Sequence, residues 1–316
     1  MSTPVKLQNA SLTLETFSLP PGNQRNLGPP HPPNTVGNGE NDKEQPTLSQ
    51  AIGVIKQLVA TGEIESLLTT HTALLFRGLP IQNASDFSAF SHAFGFKAHR
   101  IVGGVVDRPL LAPDVAPANE ADKSVTISNH NENHPLPHAP TYLFFFAERA
   151  PKSRGETLIA SSAEIYHRGV KHTLHYYPIT QFTGGVSIEI AFGKDFVPGD
   201  DEATKRQKVE SQILKYNRGA HTTWIWHPSG QLTVQHTLPE IRVHPPTRFP
   251  NRDVATYGDG DVIPEAYLET LLRVSEEVRV LHRWGAGDVL VYDNRVAQHG
   301  REPWDGEQED RKVLES

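Results

Sequence analysis

The chain is expected to fold as a mostly β, α+β protein, a sandwich or barrel of short strands with helices packed outside it. Three observations predict this. Strand-like pieces recur at 125–129, 141–147, 157–160, 178–191, 222–226, 231–235, 279–284, 288–292 and 310–314, separated by Gly and Pro turns. Only two helical insertions interrupt them, at 201–215 and 263–277, too few for the strand–helix alternation of a wound parallel sheet. The 316 residues, 37% hydrophobic and 21% charged, suffice for a large β-rich core and exclude wholesale disorder.

Each element has a local reason. Residues 1–19 alternate weakly (Val5, Leu7, Leu12, Leu14, Phe17) and predict one or two edge strands. Pro20 to Pro46 is rich in Pro, Gly and Asn and reads as an extended surface loop, so 1–46 forms an extension and 47–316 the main domain. Thr47 to Leu68 places Ala51, Ile52, Ile55, Leu58 and Val59 at helical spacing, with Thr47 or Ser49 as cap. Thr72–Phe76 is a strand ending at Arg77-Gly78-Leu79-Pro80. Ser85-Asp86-Phe87 opens a second helix, with Phe87, Phe90 and Phe94 on one side and Gly95 as its stop. The insertion at 263–277 carries Tyr267, Leu268, Leu271, Leu272 and Val274 at helical spacing, whereas the one around 201–215 opens with Glu202-Ala203-Thr204-Lys205-Arg206-Gln207-Lys208, a solvated face.

Composition narrows the function. With no cysteine, disulfides, zinc fingers, iron–sulfur clusters and thiol nucleophiles are excluded, so a metal would be held by nitrogen and oxygen, for which sixteen histidines are available. The formal net charge of −7 counts against nucleic acid as a partner. The longest apolar runs, Ala73–Phe76 and Tyr142–Ala147, are too short to span a bilayer, and Met1–Lys6 lacks the apolar core of a signal peptide. The expectation is a soluble cytoplasmic protein whose partner is a small molecule, not nucleic acid or membrane.

The most informative segment is Ser128-Asn129-His130-Asn131-Glu132-Asn133-His134-Pro135. In a strand, residues i and i+2 share a face, so His130 and Glu132 converge on one point. Two imidazoles and one carboxylate, with three positions left open, form the facial triad of non-haem Fe(II) oxygenases. The best third ligand is His299, a lone histidine followed by Gly300, which would leave room beside the metal; His134 and His138 are rivals of His130. Asp288 and Asp293 are alternative carboxylates that more simply order their turns. Arg311 offers a bidentate site for a carboxylate, with Arg295 and Arg301 as alternatives for that role.

These pieces resemble the Fe(II)/2-oxoglutarate-dependent dioxygenases, in particular the taurine-dioxygenase-like group and its clavaminate-synthase-like branch, which can use Glu where most relatives use Asp. His130-x-Glu132, the distant His299 and Arg311 carry the likeness. Leu75-Phe76-Arg77-Gly78-Leu79, Pro140–Phe146 with Gly155-Glu156-Thr157-Leu158, and Gly287–Arg295 agree with it over roughly residues 70–316. The resemblance implies a double-stranded β-helix (jelly-roll) core and Fe(II) on His130, Glu132 and His299. It implies 2-oxoglutarate on Arg311 and Thr157, O2 as cosubstrate and ascorbate as the reductant in vitro. It also implies oxidation of an unactivated C–H bond by hydroxylation, desaturation or ring closure, with succinate and CO2 released. The chain departs from the group at Arg154-Gly155, where a double glycine is usual, and at Val243–Asn251, which lacks an aromatic pair. Arg295, Arg301, His134 and Arg108 are candidates for holding an anionic or zwitterionic substrate, here expected to be a small carboxylate or amino acid. Two other classes fit the same residues: a catalytically silent jelly-roll binding protein and a metal-dependent hydrolase.

Overall fold

The computed structural model describes residues 5–6, 13–14, 24–27, 47–100, 102, 108–118, 121–133, 136, 138–162, 165, 168, 175–176, 179–182, 185–215, 222–239, 255–256 and 264–316. His134 and the 243–251 stretch lie outside these residues. The main strands are β1 (Gln24–Leu27), β2 (Ala73–Phe76), β3 (Ala116–Pro117), β4 (Ile127–His130), β5 (Tyr142–Arg149), β6 (Thr157–Ser161), β7 (Ile179–Phe182), β8 (Thr222–Trp226), β9 (Leu232–His236), β10 (Val280–His282), β11 (Val289–Asp293), β12 (Ala297–Arg301) and β13 (Lys312–Glu315). The helices are α1 (Leu48–Ala60), α2 (Glu63–His71), α3 (Ala84–His92), α4 (Gly185–Phe192), α5 (Glu202–Lys215) and α6 (Glu265–Val278). The fold is thus mixed α/β with mostly antiparallel sheets. No helix among the described residues is long and apolar enough to cross a membrane.

Two five-stranded sheets dominate. One, here the core sheet, has the order β2-β11-β5-β13-β3; the other, the site sheet, has the order β1-β10-β6-β12-β4. All neighbours are antiparallel except β1 and β10. Strand alternation explains how the layers stack. Phe144 and Phe146 of β5, Val289 and Val291 of β11 and Leu314 of β13 face one way and pack against Ile55, Leu58, Leu68, Phe87, Phe90 and Phe94 of α1–α3 and the turn after them. Phe87 stacks on Phe146 with centroids 5.3 Å apart, and Phe94 meets Phe144 edge-on at 4.9 Å. Leu143, Phe145 and Ala147, with Leu290, Tyr292 and Val313, face the other way and pack against Ala297, Ile159 and Trp284 of the site sheet and its flank. The far side of the site sheet is covered by α6, through Ala160, Ile165, Leu271 and Val278. A smaller sheet, β7-β9-β8, has its own core with Val102, α4 and α5 built on Ile188, Phe192, Val209, Ile213, Leu232 and Val234.

Several expectations need correction. The segment 178–191 is not one strand: β7 ends at Phe182 and α4 follows. Val186, Ile188 and Ile190 favour a strand by propensity, but Ile188, Ala191 and Phe192 lie on one helical side and bury against α5, and packing overrides propensity. Thr47–Leu68 is two helices, because Gly62 adopts φ +73° between them. Thr47 caps the first, with a reciprocal Gln50 bond. The second predicted helix opens at Ala84, one residue before Ser85, and is capped by Asn83. The Pro-rich extension is not all loop, since residues 24–27 pair in parallel with β10. Arg311 immediately precedes β13 instead of lying within it.

Candidate metal and cosubstrate site

Register assembles the site on the inner face of the site sheet. His299 pairs with His130 on one side and with Ile159 on the other, while Arg301 pairs with Ile127 and Thr157. Paired residues share a face, so His130, His299, Arg301 and Thr157 all point toward the core sheet. Gly300 makes this possible: a Cβ there would lie 2.4 Å from the Ile127 carbonyl and 2.7 Å from Leu158 Cδ1. Gly300 also borders the cavity, and the absence of its Cβ lets β4 approach β12 beside Leu158.

Glu132 reaches the group by a different route from the one strand alternation suggests. β4 ends at His130, and Glu132 sits in the turn that follows, with Asn133 at φ +52°. Two buried asparagines shape that turn. Asn294 accepts from the Glu132 backbone N–H at 2.7 Å and donates to the carbonyls of Glu132 and Pro140 at 3.1 and 2.9 Å. Asn131 donates to the carbonyls of Asn294 and Ala297 at 2.6 and 2.9 Å. Residue patterns point to neither asparagine; the only signal is their place inside the two informative segments.

Among the described residues, His130, Glu132 and His299 form one group whose ligand atoms all lie within 4.8 Å of one another. Glu132 Oε2 is 3.5 Å from His299 Nε2 and 3.8 Å from His130 Nε2. Metal–ligand bonds of ~2.1 Å span such a group after a small contraction. His130 Nδ1 lies 2.8 Å from the Ser128 carbonyl, which fixes Nδ1 as the protonated nitrogen and turns the Nε2 lone pair toward Glu132. The Phe145 and Tyr292 rings flank His299, with centroids 5.3 and 5.6 Å from its own, and hold the imidazole in place. Burial, then the charge of His130, push His299 down to about 3, so it is neutral. Burial alone would raise Glu132, but the nearby imidazoles of His130 and His299 outweigh it and hold the carboxyl down at about 2. Burial likewise lowers His130, yet the nearby Glu132 carboxylate leaves it raised. His299 as a neutral imidazole and Glu132 as an ionised carboxylate are forms that a divalent ion needs, and an incoming ion displaces the proton that Glu132 favours on His130, so the donor set fits.

Thr157 and Arg311 meet at the border of the same cavity. Thr157 is buried, and its Oγ1 accepts from Trp284 Nε1 at 2.8 Å and from Arg311 Nη2 at 3.2 Å. Arg311 Nε donates to the Gly155 carbonyl at 2.9 Å. Gly155 has φ +73°, and a Cβ there would meet Pro151, Trp304 and the Arg311 side chain. Arg154, where a glycine is usual in the group, holds φ +62°. Burial, then the neighbouring charge of Arg301, press Arg311 down to about 9, and Glu156 opposes them; it remains a cation at neutral pH. Trp284 escapes sequence reasoning because a lone Trp between strands reads as core.

The remaining candidates separate. His130, Glu132, His299, Thr157, Arg311, Arg301 and Arg108 all border one cavity of about 470 Å³, its mouth included. Arg301 is tied to the carbonyls of Ala121, Asp122 and Val125 at 3.1, 2.7 and 2.7 Å and braces that loop. Arg295 does not border the cavity; it turns outward to Asp293, 2.9 Å from Nε to Oδ1, and lies over Tyr142. The His138 ring lies 4.3 Å from that of His99, tilted by 37°, and His138 is absent from the ligand group. Asp288 accepts from the Gly285 N–H and Asp293 from the Arg295 N–H, so both order turns.

Residues 53–315 match the family model described as taurine catabolism dioxygenase TauD, TfdA family. The chain is 30% identical over 285 residues to a clavaminate synthase-like protein of Arabidopsis thaliana, covering 80% of this chain and 83% of that protein. It is 24% identical over 310 residues to the dapdiamide synthesis protein DdaC of Enterobacter agglomerans, covering 85% and 89%. Over 74 residues it is 38% identical to an (S)-phenoxypropionate/alpha-ketoglutarate-dioxygenase of Delftia acidovorans, covering 21% and 25%.

Proposed function

The chain belongs to the taurine catabolism dioxygenase TauD, TfdA family, and on that premise we propose that His130, Glu132 and His299 hold its iron while Arg311 and Thr157 hold its 2-oxoglutarate. The protein is an Fe(II)/2-oxoglutarate-dependent dioxygenase. We read its two packed sheets as the double-stranded β-helix of that family. When bound, the ferrous ion and 2-oxoglutarate together activate O2 and supply the oxidant for an unactivated C–H bond, with succinate and CO2 released.

The chain's own residues do the positioning. His130 is oriented by the Ser128 carbonyl, His299 by two aromatic rings, and Glu132 by Asn294. These supporting contacts keep the three donors in place ahead of metal binding. Thr157 has a defined role. Its oxygen already accepts two hydrogen bonds, from Trp284 and Arg311, so its own hydrogen is left to donate to an arriving carboxylate. The Arg311 guanidinium beside it supplies charge, and an anion there relieves the cost of a buried cation. Phe145 and Val313 line the core-sheet side of the cavity and keep water from that side. A metal-dependent hydrolase would leave the Thr157–Arg311 cradle without a purpose.

The observation that carries the reading is the convergence of two imidazoles, a carboxylate, Thr157 and Arg311 on one cavity. The substrate is a small carboxylate or amino-acid-like molecule, oxidised by hydroxylation, desaturation or ring closure. A panel of such compounds, incubated with the protein, Fe(II), ascorbate and 2-oxoglutarate, tests it through succinate formation and product mass. Iron-dependent succinate with a mass change in one compound is expected; no iron-dependent succinate with any compound overturns the reading.

A further inference from the structure

We propose that Arg108 and Glu315, paired at the cavity wall, recognise the carboxylate and the ammonium of a zwitterionic, α-amino-acid-like substrate, one charge to each side chain. The inference rests on the oxygenase reading above and adds the substrate class to it. Arg108 borders the same cavity as the three ligands, and its Nη1 donates to Glu315 Oε1 and, at 3.4 Å, to the Pro117 carbonyl. Glu315 lies two residues beyond Val313 on β13 and pairs in register with Phe145; Val313 and Phe145 both line the cavity. Period-2 alternation places Glu315 on that same face. The pair is largely withdrawn from water, with side chains 24% and 17% exposed.

Among the described arginines that border the cavity, elimination points to Arg108 as the one that meets substrate. Arg311 is committed to the cosubstrate, Arg301 to three loop carbonyls, and Arg295 faces away. Nor is the pair needed to anchor β13, which is already held by β5, by β3 and by reciprocal backbone bonds between Ser316 and Phe144. A buried pair costs desolvation, so one kept at a cavity wall without an anchoring task suits ligand exchange. Glu315 then sets the class. Its buried carboxyl has Arg108 as its partner. A simple anion docking on Arg108 would take that partner and leave the carboxyl buried and unpaired, whereas a zwitterion brings an ammonium to replace it. That is discrimination against the wrong ligand as well as attraction of the right one.

The test compares each proteinogenic L-amino acid with its desamino carboxylate by iron-dependent succinate formation, in the wild-type protein and in Glu315→Gln. Wild-type protein should prefer at least one amino acid over its desamino partner by at least about tenfold in kcat/KM, and Glu315→Gln should bring that ratio close to one, mainly through KM. The inference is overturned if no amino acid is preferred, or if the preference survives in Glu315→Gln. Because the ratio is taken within each protein, a general loss of activity in the variant does not mimic the result. Should Glu315→Gln not fold, the wild-type ratio still decides the substrate class. Calorimetric titration of 2-oxoglutarate into the Fe(II)-loaded protein separates the two failures: binding without amino-acid preference sinks only this inference, and no binding sinks the oxygenase reading itself.

Discussion

β11 and β12 are consecutive strands, five residues each, with every residue buried, yet their compositions are opposite. β11 reads Val289-Leu290-Val291-Tyr292 before its final Asp293 and serves an apolar layer on both faces. β12 reads Ala297-Gln298-His299-Gly300-Arg301 and carries a metal-ligand candidate, an arginine and a glutamine that is fully buried. Burial in the core sheet contributes stability, roughly 1.5–3 kcal/mol for each large apolar side chain. Burial in the site sheet costs free energy unless each polar group finds a partner. The contrast teaches that the site sheet is the place where this molecule gives up stability for chemistry, and that the core sheet and its helices support it.

Substitutions can break or sharpen that contrast. The largest effect is expected from His299→Ala, which should reduce iron-dependent succinate formation to background while costing less folding stability than a core-sheet truncation. Succinate assay and urea unfolding of the metal-free protein check both halves. Phe146→Ala, on the core sheet against Phe87, should cost about 3–5 kcal/mol in urea unfolding, yet leave the iron content of the folded fraction unchanged by metal analysis. Asn294→Ala lies between the two regions: it frees the Glu132 turn, and iron affinity should fall roughly 10- to 100-fold in a competition titration with a chelator.

A pH signature should follow from Glu315, whose carboxyl is pushed up to about 8 by burial and then by Glu132. The unfolded chain releases this proton near the ordinary value of 4.5 and the folded chain near 8, so between those values the native state holds more protons. Metal-free protein should therefore lose stability as pH rises through that window, and Glu315→Gln should flatten the slope in thermal melts. The smallest effect is expected from Arg295→Ala. Its half-exposed pair with Asp293 is worth at most about 1 kcal/mol, and kcat/KM should stay within about twofold of wild type. A large loss there would mean that the cavity extends to a side chain which the fold turns outward.

Much of this molecule is legible in its residue order. The helical periodicity of α1, the two insertions and the aromatic side of α3 are local patterns, and they fold as patterned because each apolar stripe finds a layer to cover. The residue types of the site are also legible, because a histidine–carboxylate pair, a late histidine and an arginine near the C-terminus stand out against their neighbours. The spacing argument brings Glu132 beside the two histidines through the wrong geometry, since a turn and not a strand delivers it. The four arginine candidates cannot be ranked by sequence, as all carry the same charge and differ only in what they touch.

The sequence by itself determined which side chains are available and the faces along each short element, because those depend on residues one to four positions apart. Only the tertiary structure decided that β12 lies between β4 and β6, that Asn294 steers a carboxylate 162 residues away, that Val186–Phe192 coils instead of extending, and that Arg108 meets Glu315. Each of those outcomes rests on contacts between segments far apart in the chain, whose free energies are comparable to local preferences and are set only when the whole core closes.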